Sequence, residues 1–147
     1  MAPQPVTALK SHHEYAAKVV CGYLKEQKGP LSPGRYFTAV NIHNPSAKEA
    51  HICVKLAIAK PGGPGPVTAF HGFNLGPDQA MEIDCELIHK LAEGAEFIKG
   101  FVVIKAIPEL DVVAVYTAGA VEAPGWVTTM HTERVPPRTI VGGLPHC

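Results

Sequence analysis

Histidine and cysteine are the residue types in this chain with the clearest capacity to bind a metal ion. His51 and Cys53 lie two residues apart in a run of alternating residues, so a β-strand would place both on one face. A hairpin with the preceding predicted strand would bring His43 to the same face. Because imidazole and thiolate bind zinc and copper, two hypotheses follow. The first is a zinc or copper site formed by His43, His51 and Cys53, and the second is a set of scattered surface histidines.

Sequence motifs that position a nucleophile or a phosphate group do not occur in the chain. It contains no GxSxG, no GxxxxGK[ST] and no GxGxxG sequence. Glu82 and Asp84 are paired carboxylates, but at two residues apart on a strand a solvated polar face explains them more simply. We therefore expect that the protein is not an enzyme and that it carries no organic cofactor.

The cysteine spacing fits no zinc-binding signature and includes no CxxC pair. Cys21, Cys53 and Cys85 each lie in an apolar run, so we predict that they are buried as small apolar residues. Cys147 is predicted to be exposed, where it could bridge to another molecule. The even number of cysteines also permits two disulfides, although a domain of this size does not need them.

Charge and composition narrow the classes of partner. The 147 residues include 13 Lys and Arg against 13 Asp and Glu, so the formal net charge is zero. This balance argues against nucleic acid, which requires clustered positive charge, and no apolar stretch is long enough to insert into a membrane. The N-terminal residues contain no apolar core of a signal peptide. We expect a cytoplasmic protein, with assembly outside the cell left open.

Alternation of apolar and polar residues predicts an all-β fold. Seven or eight strand-like segments are joined by short turns, and segment 86–96 alone has helical spacing. Continuous apolar runs at 97–107 and 110–121 predict central strands that are covered on both faces. The predicted fold is a single antiparallel β-sandwich, similar to a jelly roll, with one short helix. Its clearest buried face consists of Ile52, Val54, Leu56 and Ile58.

The predicted sandwich occupies residues 15–137, between an extended N-terminal arm at 1–14 and a C-terminal tail at 138–147. Segment 60–66 is so rich in glycine and proline that we expect no regular element to cross it. These boundaries leave two arms outside the core.

Self-assembly is the function that the composition favours. Only 18% of the residues are charged, which does little to keep copies apart. The tail contains apolar residues that would be stabilised by burial against another surface, and open sheet edges allow strand addition. We predict a non-enzymatic structural or interaction module that forms a homo-oligomer, as a ring or filament, with itself or another protein as partner. The expected interaction residues are Trp126, Ile140, Val141 and Leu144.

A ligand-binding β-sandwich is the alternative function. Its ligand would be a carbohydrate stacked on Trp126 or a metal bound by histidine and cysteine.

Several short strings carry a resemblance to known sequences: YFTAVNIHNPS, LGPDQAMEIDCELI, FIKGFVVI, ELDVVAVYTAG and TERVPPR. Their order over residues 35–138 resembles a family of small, uncharacterised prokaryotic β-sandwich proteins. More distantly, it resembles the soluble transducer family of bacterial sensory rhodopsins. The resemblance implies a non-enzymatic antiparallel sandwich that assembles into symmetric homo-oligomers and acts through partners. A membrane partner is not implied, because no residue here identifies one.

Overall fold

The computed structural model describes residues 8–27, 29–122 and 127–147, which contain ten strands and one helix. In chain order the elements are β1 (Ser11–Leu24), β2 (Gly34–His43), β3 (Ala50–Lys60), β4 (Gly63–Val67), β5 (His71–Leu75), β6 (Ala80–Ile83), α1 (Cys85–Leu91), β7 (Ile98–Ala106), β8 (Asp111–Gly119), β9 (Val127–Arg134) and β10 (Arg138–Val141). The predicted fold class, all-β and antiparallel with one short helix, is confirmed.

The strands form one continuous sheet in the order β4-β3-β7-β1-β2-β8-β9, with β5, β6 and β10 beside β3, β2 and β1. Strand β1 joins the two halves, because residues 13–21 pair with β7 and residues 22–24 pair with β2. Gly22 stands at this change of partner with a φ of 138°. Side chains from both halves pack into one hydrophobic core. The sandwich is therefore one sheet folded over on itself.

The core follows the predicted alternation. Every second residue is buried along β7, from residue 15 to 21 of β1 and from residue 50 to 56 of β3, where Cys53 is buried as well. Ile58, the last member of the predicted buried face, is only partly buried. Strands β2 and β8 supply the opposing layer. Strands β7 and β8 both lie inside the strand order, as predicted. The prediction that both of their faces are covered is wrong, because alternate residues face solvent, such as Phe101 of β7, which is 43% exposed. The largest fully buried side chains are Tyr15, Val19, Val40, Ile42, Ile52, Val54, Leu56, Ile83, Ile88, Ile98, Val102 and Ile104.

Two strands lie where none was predicted, which raises the number from seven or eight to ten. Strand β4 crosses the segment from which regular structure was excluded, so that prediction is wrong. Prolines are tolerated there because β4 pairs with β3 at one end of the sheet. Strand β10 lies within the predicted tail, and β1 begins at Ser11, within the predicted arm.

The predicted hairpin of β2 and β3 is also wrong, because β7 and β1 lie between these two strands. Asn44, which is fully buried at the end of β2, explains the separation. Its amide nitrogen donates to the carbonyl oxygens of Lys48, at 2.8 Å, and Leu75, at 3.0 Å. The amide therefore fastens the chain to the end of β5 and directs β3 into the other half of the sheet.

Helix α1 begins at residue 85, one residue before the predicted segment 86–96, and ends at residue 91, five residues before the end of that segment. It closes one side of the core. Asp84 caps it, because the carboxylate accepts a hydrogen bond from the Leu87 N–H at 2.9 Å. Ile88 and Leu91 are its buried residues. In the part of the chain described here, no helix has the length and apolar character to cross a membrane.

Replacement of Gly22 by alanine should destabilise the fold. An added Cβ would lie 2.7 Å from the Glu96 carbonyl oxygen, and φ is in the left-handed region. We expect Gly22→Ala to lower the free energy of unfolding by about 2–4 kcal/mol in urea denaturation. Gly143→Ala is the matched control, because a Cβ there meets no atom within 4 Å. Equal stability of the two variants would contradict this role of Gly22.

Candidate functional site

Three potential metal ligands meet where the end of the chain crosses β3. The ligand atoms of His51, Cys53 and Cys147 all lie within 4.8 Å of one another. His51 Nε2 is 3.1 Å from Cys147 Sγ, and Cys53 and Cys147 form a disulfide. Cys53 is fully buried, whereas His51 and Cys147 are exposed. This group is called the His–Cys–Cys cluster below.

The neighbouring strand β5 fixes the geometry of the His–Cys–Cys cluster. His51 pairs with Asn74 and Cys53 pairs with Gly72 across β3 and β5. The Asn74 side-chain oxygen lies 2.8 Å from His51 Nδ1. Because this oxygen can only accept, Nδ1 donates, and in the neutral ring the lone pair on Nε2 faces the sulfur. Gly72 leaves room for the chain end, since a Cβ there would lie 2.8 Å from the Cys147 carbonyl oxygen.

His43 is held elsewhere and is not part of this cluster. Its Nδ1 lies 2.9 Å from an Asp111 carboxylate oxygen, and its Nε2 lies 2.8 Å from one of Asp78. The predicted grouping of His43 with His51 and Cys53 required β2 and β3 to be neighbours, which they are not. Sequence reasoning identified two members of the cluster and missed Cys147, for which the even cysteine count was the available signal.

The two carboxylates raise the pKa of the His43 imidazole. Hydrogen bonds to Asp111, chiefly, and to Asp78 raise the pKa of this imidazole above its ordinary value of 6.5. Arg134 lies 3.9 Å from the other Asp111 oxygen and shares that carboxylate. The arrangement connects the end of β2 to the start of β8 through the His43 imidazole and its contact with Asp111.

The other two cysteines are also paired. Cys21 of β1 and Cys85 of α1 form a disulfide that joins strands of the core to the helix. The predicted burial of Cys21 and Cys53 is confirmed, but Cys21, Cys53 and Cys85 are not free thiols. Cys147 is exposed as predicted, and its bridge is made within the chain.

Two of the predicted interaction residues of the tail, Ile140 and Val141, lie in β10 of the protein's own sheet. Residues 138–141 pair with the start of β1, and His12 Nδ1 lies 3.0 Å from the Gly142 carbonyl oxygen. Ile140 and Leu144 are half-buried in this position, whereas Val141 is 70% exposed. Trp126, the predicted carbohydrate platform, lies outside the described residues.

A shallow groove of about 270 Å³ lies between β1 and the inner face of β8 and β9. The Tyr116 ring stacks on His131, with 6.1 Å between ring centroids, and its hydroxyl donates to Glu133. Burial, together with the nearby Glu133 charge, raises the pKa of Tyr116 to about 12. His131 and Glu133 are exposed although their side chains point to the inner side of the sheet. The other half of the sheet therefore does not cover β9.

Comparison with known proteins informs the fold. No family model and no curated protein matches the chain. Among solved structures, the crystal structure of Thermotoga maritima 1070 is similar, with a TM-score of 0.54 and 9% sequence identity. The similarity covers 89% of this chain and 96% of that chain. At this level of identity it shows a shared fold.

The His43 contacts predict a pH-dependent contribution to stability. A pKa raised by folding gives stability that is complete below the unfolded value of 6.5 and is lost as pH rises through the folded value. The difference in unfolding free energy between wild type and His43→Gln should therefore shrink from pH 5.5 to pH 8.5, roughly one to two units either side of the ordinary histidine pKa. Urea melts would measure it, and an NMR titration of Asp111→Asn should show a lower His43 pKa. A constant difference across this range would count against it.

Exposure predicts the order in which the disulfides are reduced. Cys147 is exposed, whereas Cys21 is fully buried and Cys85 half-buried. A limiting amount of dithiol should therefore open the Cys53–Cys147 bridge first, because an attacking thiolate needs access to sulfur. Alkylation followed by peptide mass analysis would show label on this pair before the other. Simultaneous labelling of all four cysteines would contradict the prediction.

Proposed function

We propose that the protein is a non-enzymatic interaction module that forms a homo-oligomer by pairing the β9 strands of two copies. The observation that carries the proposal is the free edge of β9. This strand is the last in the strand order, and within the described ranges no strand pairs with the edge of β9 opposite β8. Its eight residues, 127–134, contain no proline to block further pairing.

An exposed apolar row leads to this edge. Phe37 pairs with Thr117, and Thr117 pairs with Met130, so their side chains lie in line across β2, β8 and β9. Phe37 is 55% exposed and Met130 is 67% exposed. Two β9 strands paired antiparallel about a two-fold axis would continue the row across both copies and bury part of it. Apolar burial would thus add to the main-chain hydrogen bonds.

A comparison of the two end strands of the sheet, β9 and β4, favours a dimer over the ring or filament expected from the sequence. Rings and filaments need two different surfaces that fit each other, such as β9 of one copy against β4 of the next. Strand β4 contains Pro64 and Pro66, which cannot donate main-chain hydrogen bonds. Pairing of β9 with itself avoids these prolines.

The two disulfides also bear on where the protein works. Structural disulfides persist in oxidising compartments and are rare in the cytosol. Cys21–Cys85 and Cys53–Cys147 therefore support a place of action outside the reducing cytoplasm, in contrast to the location expected from the sequence.

A charge at the β9 edge should separate the copies. Met130→Lys would place two positive charges near the two-fold axis, so we expect the dimer to weaken by at least about tenfold, or about 1.4 kcal/mol. Sedimentation velocity at micromolar concentrations would measure the change, with thermal melting to verify the fold.

Val141→Lys provides the matched control, because this equally exposed residue lies in the tail. It should leave the dimer intact. A monomeric wild-type protein, or dissociation by Val141→Lys and not by Met130→Lys, would overturn the proposal. A wild-type particle larger than a dimer would favour the ring or filament instead.

A further inference from the structure

We propose that reduction of the Cys53–Cys147 disulfide converts the His–Cys–Cys cluster into a zinc-binding site. In this site a bound Zn²⁺ replaces the disulfide as the connection between the chain end and β3. The inference concerns a surface different from the β9 edge and does not depend on self-assembly.

The positions of the side chains already suit a metal. Zinc binds thiolate sulfur at about 2.3 Å and imidazole nitrogen at about 2.0 Å, so two tetrahedral thiolate ligands lie about 3.8 Å apart. The Cα atoms of Cys53 and Cys147 are 5.7 Å apart, which allows their sulfurs to separate to this distance by side-chain rotation. His51 Nε2 is 3.1 Å from Cys147 Sγ, and a small outward movement of the sulfur admits the ion between them.

The histidine is oriented before any metal arrives. The Asn74 side-chain oxygen accepts a hydrogen bond from His51 Nδ1 at 2.8 Å, which leaves Nε2 as the ligand atom. Both residues belong to paired strands, so the imidazole is held by the sheet rather than by a loop. Cys53 is anchored in the same way, opposite Gly72. The chain end needs only to keep Cys147 in its present place, where Gly72 makes room for it.

The reaction balances with a dithiol as the reductant. The dithiol supplies two electrons and two protons to the Cys53–Cys147 bond and becomes a cyclic disulfide, leaving two cysteine thiols. Zinc then binds the two sulfurs as thiolates, and two protons are released to solvent. The zinc itself is neither oxidised nor reduced. Two thiolates and one imidazole are a ligand set that zinc accepts in proteins, and the fourth position is open to water.

The test is metal binding by the reduced full-length protein under anaerobic conditions. A phosphine serves as the reductant in the test: it supplies the same two electrons and becomes a phosphine oxide with oxygen from water, whose two protons complete the thiols. We expect the phosphine-reduced wild type to bind one Zn²⁺ per chain, and Co²⁺ in its place should give a thiolate charge-transfer band and tetrahedral ligand-field bands. The oxidised protein should show neither, because disulfide sulfur is not a thiolate ligand. This comparison requires no mutation and so does not depend on whether any variant folds.

Variants assign the ligands. Cys147→Ser should remove the charge-transfer band that this sulfur contributes. Asn74 only orients His51, so Asn74→Ala should weaken zinc binding by roughly tenfold to hundredfold. Cys147→Ser removes a ligand and should weaken binding by more than that. His51→Ala should weaken binding as Cys147→Ser does. His43→Ala is the control that should leave affinity unchanged, because that histidine is held by Asp78 and Asp111. Met130→Lys should also bind zinc normally, which separates this inference from the proposed dimer.

Three results would overturn the inference. One is equal zinc affinity of the reduced and oxidised proteins. Another is unchanged binding by Cys147→Ser. The third is loss of binding on replacement of Cys21 and Cys85 while Cys53 and Cys147 are intact.

Discussion

The passage of β1 from one half of the sheet to the other is the constraint on which the rest of the structure depends. A strand that pairs with β7 and then with β2 must bend, and Gly22 permits the bend where the Glu96 backbone approaches closely. On the N-terminal side of Gly22, β1 and β2 separate, and the Thr38 hydroxyl spans the gap by hydrogen bonding to the N–H and the carbonyl of Val20, both at 3.0 Å. Without this bend the two halves could not share a core.

The folded sheet also determines which surfaces are left open. One half covers β2 and the first part of β8, where Val112 and Ala114 are buried, but it does not extend over β9, whose inward-pointing His131 and Glu133 are exposed. The outer side of β9 carries Met130, and its edge is free within the described residues. A strand with both an open face and an open edge is the kind of surface on which proteins pair. The proposed dimer therefore follows from where the covering half ends.

Sequence reasoning was most successful for features set by local spacing. The alternation of Ile52, Val54 and Leu56 identified both a strand and its buried face, because burial of one face requires a period of two. Strand partners were not predictable in the same way. The hairpin of β2 and β3 looked favourable locally, but the buried amide of Asn44 sends the chain to the other half. Strand β4 was missed because its prolines were taken to exclude any strand, whereas proline is excluded only from central strands and is tolerated in an edge strand such as β4.

The candidate metal site was also predictable only where its residues are near in sequence. His51 and Cys53 could be selected together because an i, i+2 pair on a strand shares a face. Cys147 is 94 residues from Cys53, and only the folded sheet brings it there. His43 was grouped with them on the assumption of neighbouring strands, and the structure gives it Asp78 and Asp111 as partners instead. Residues at short range in sequence were assigned correctly, and those brought together by strand order were not.

The two disulfides overlap along the chain, since Cys53 lies inside the loop closed by Cys21–Cys85, and Cys85 lies inside the loop closed by Cys53–Cys147. Every peptide bond between residues 21 and 147 is consequently spanned by at least one cross-link. A protease that cuts once anywhere in this region releases no fragment while the bridges are intact. The oxidised molecule thus remains a single covalent body after a nick that would divide an ordinary chain in two.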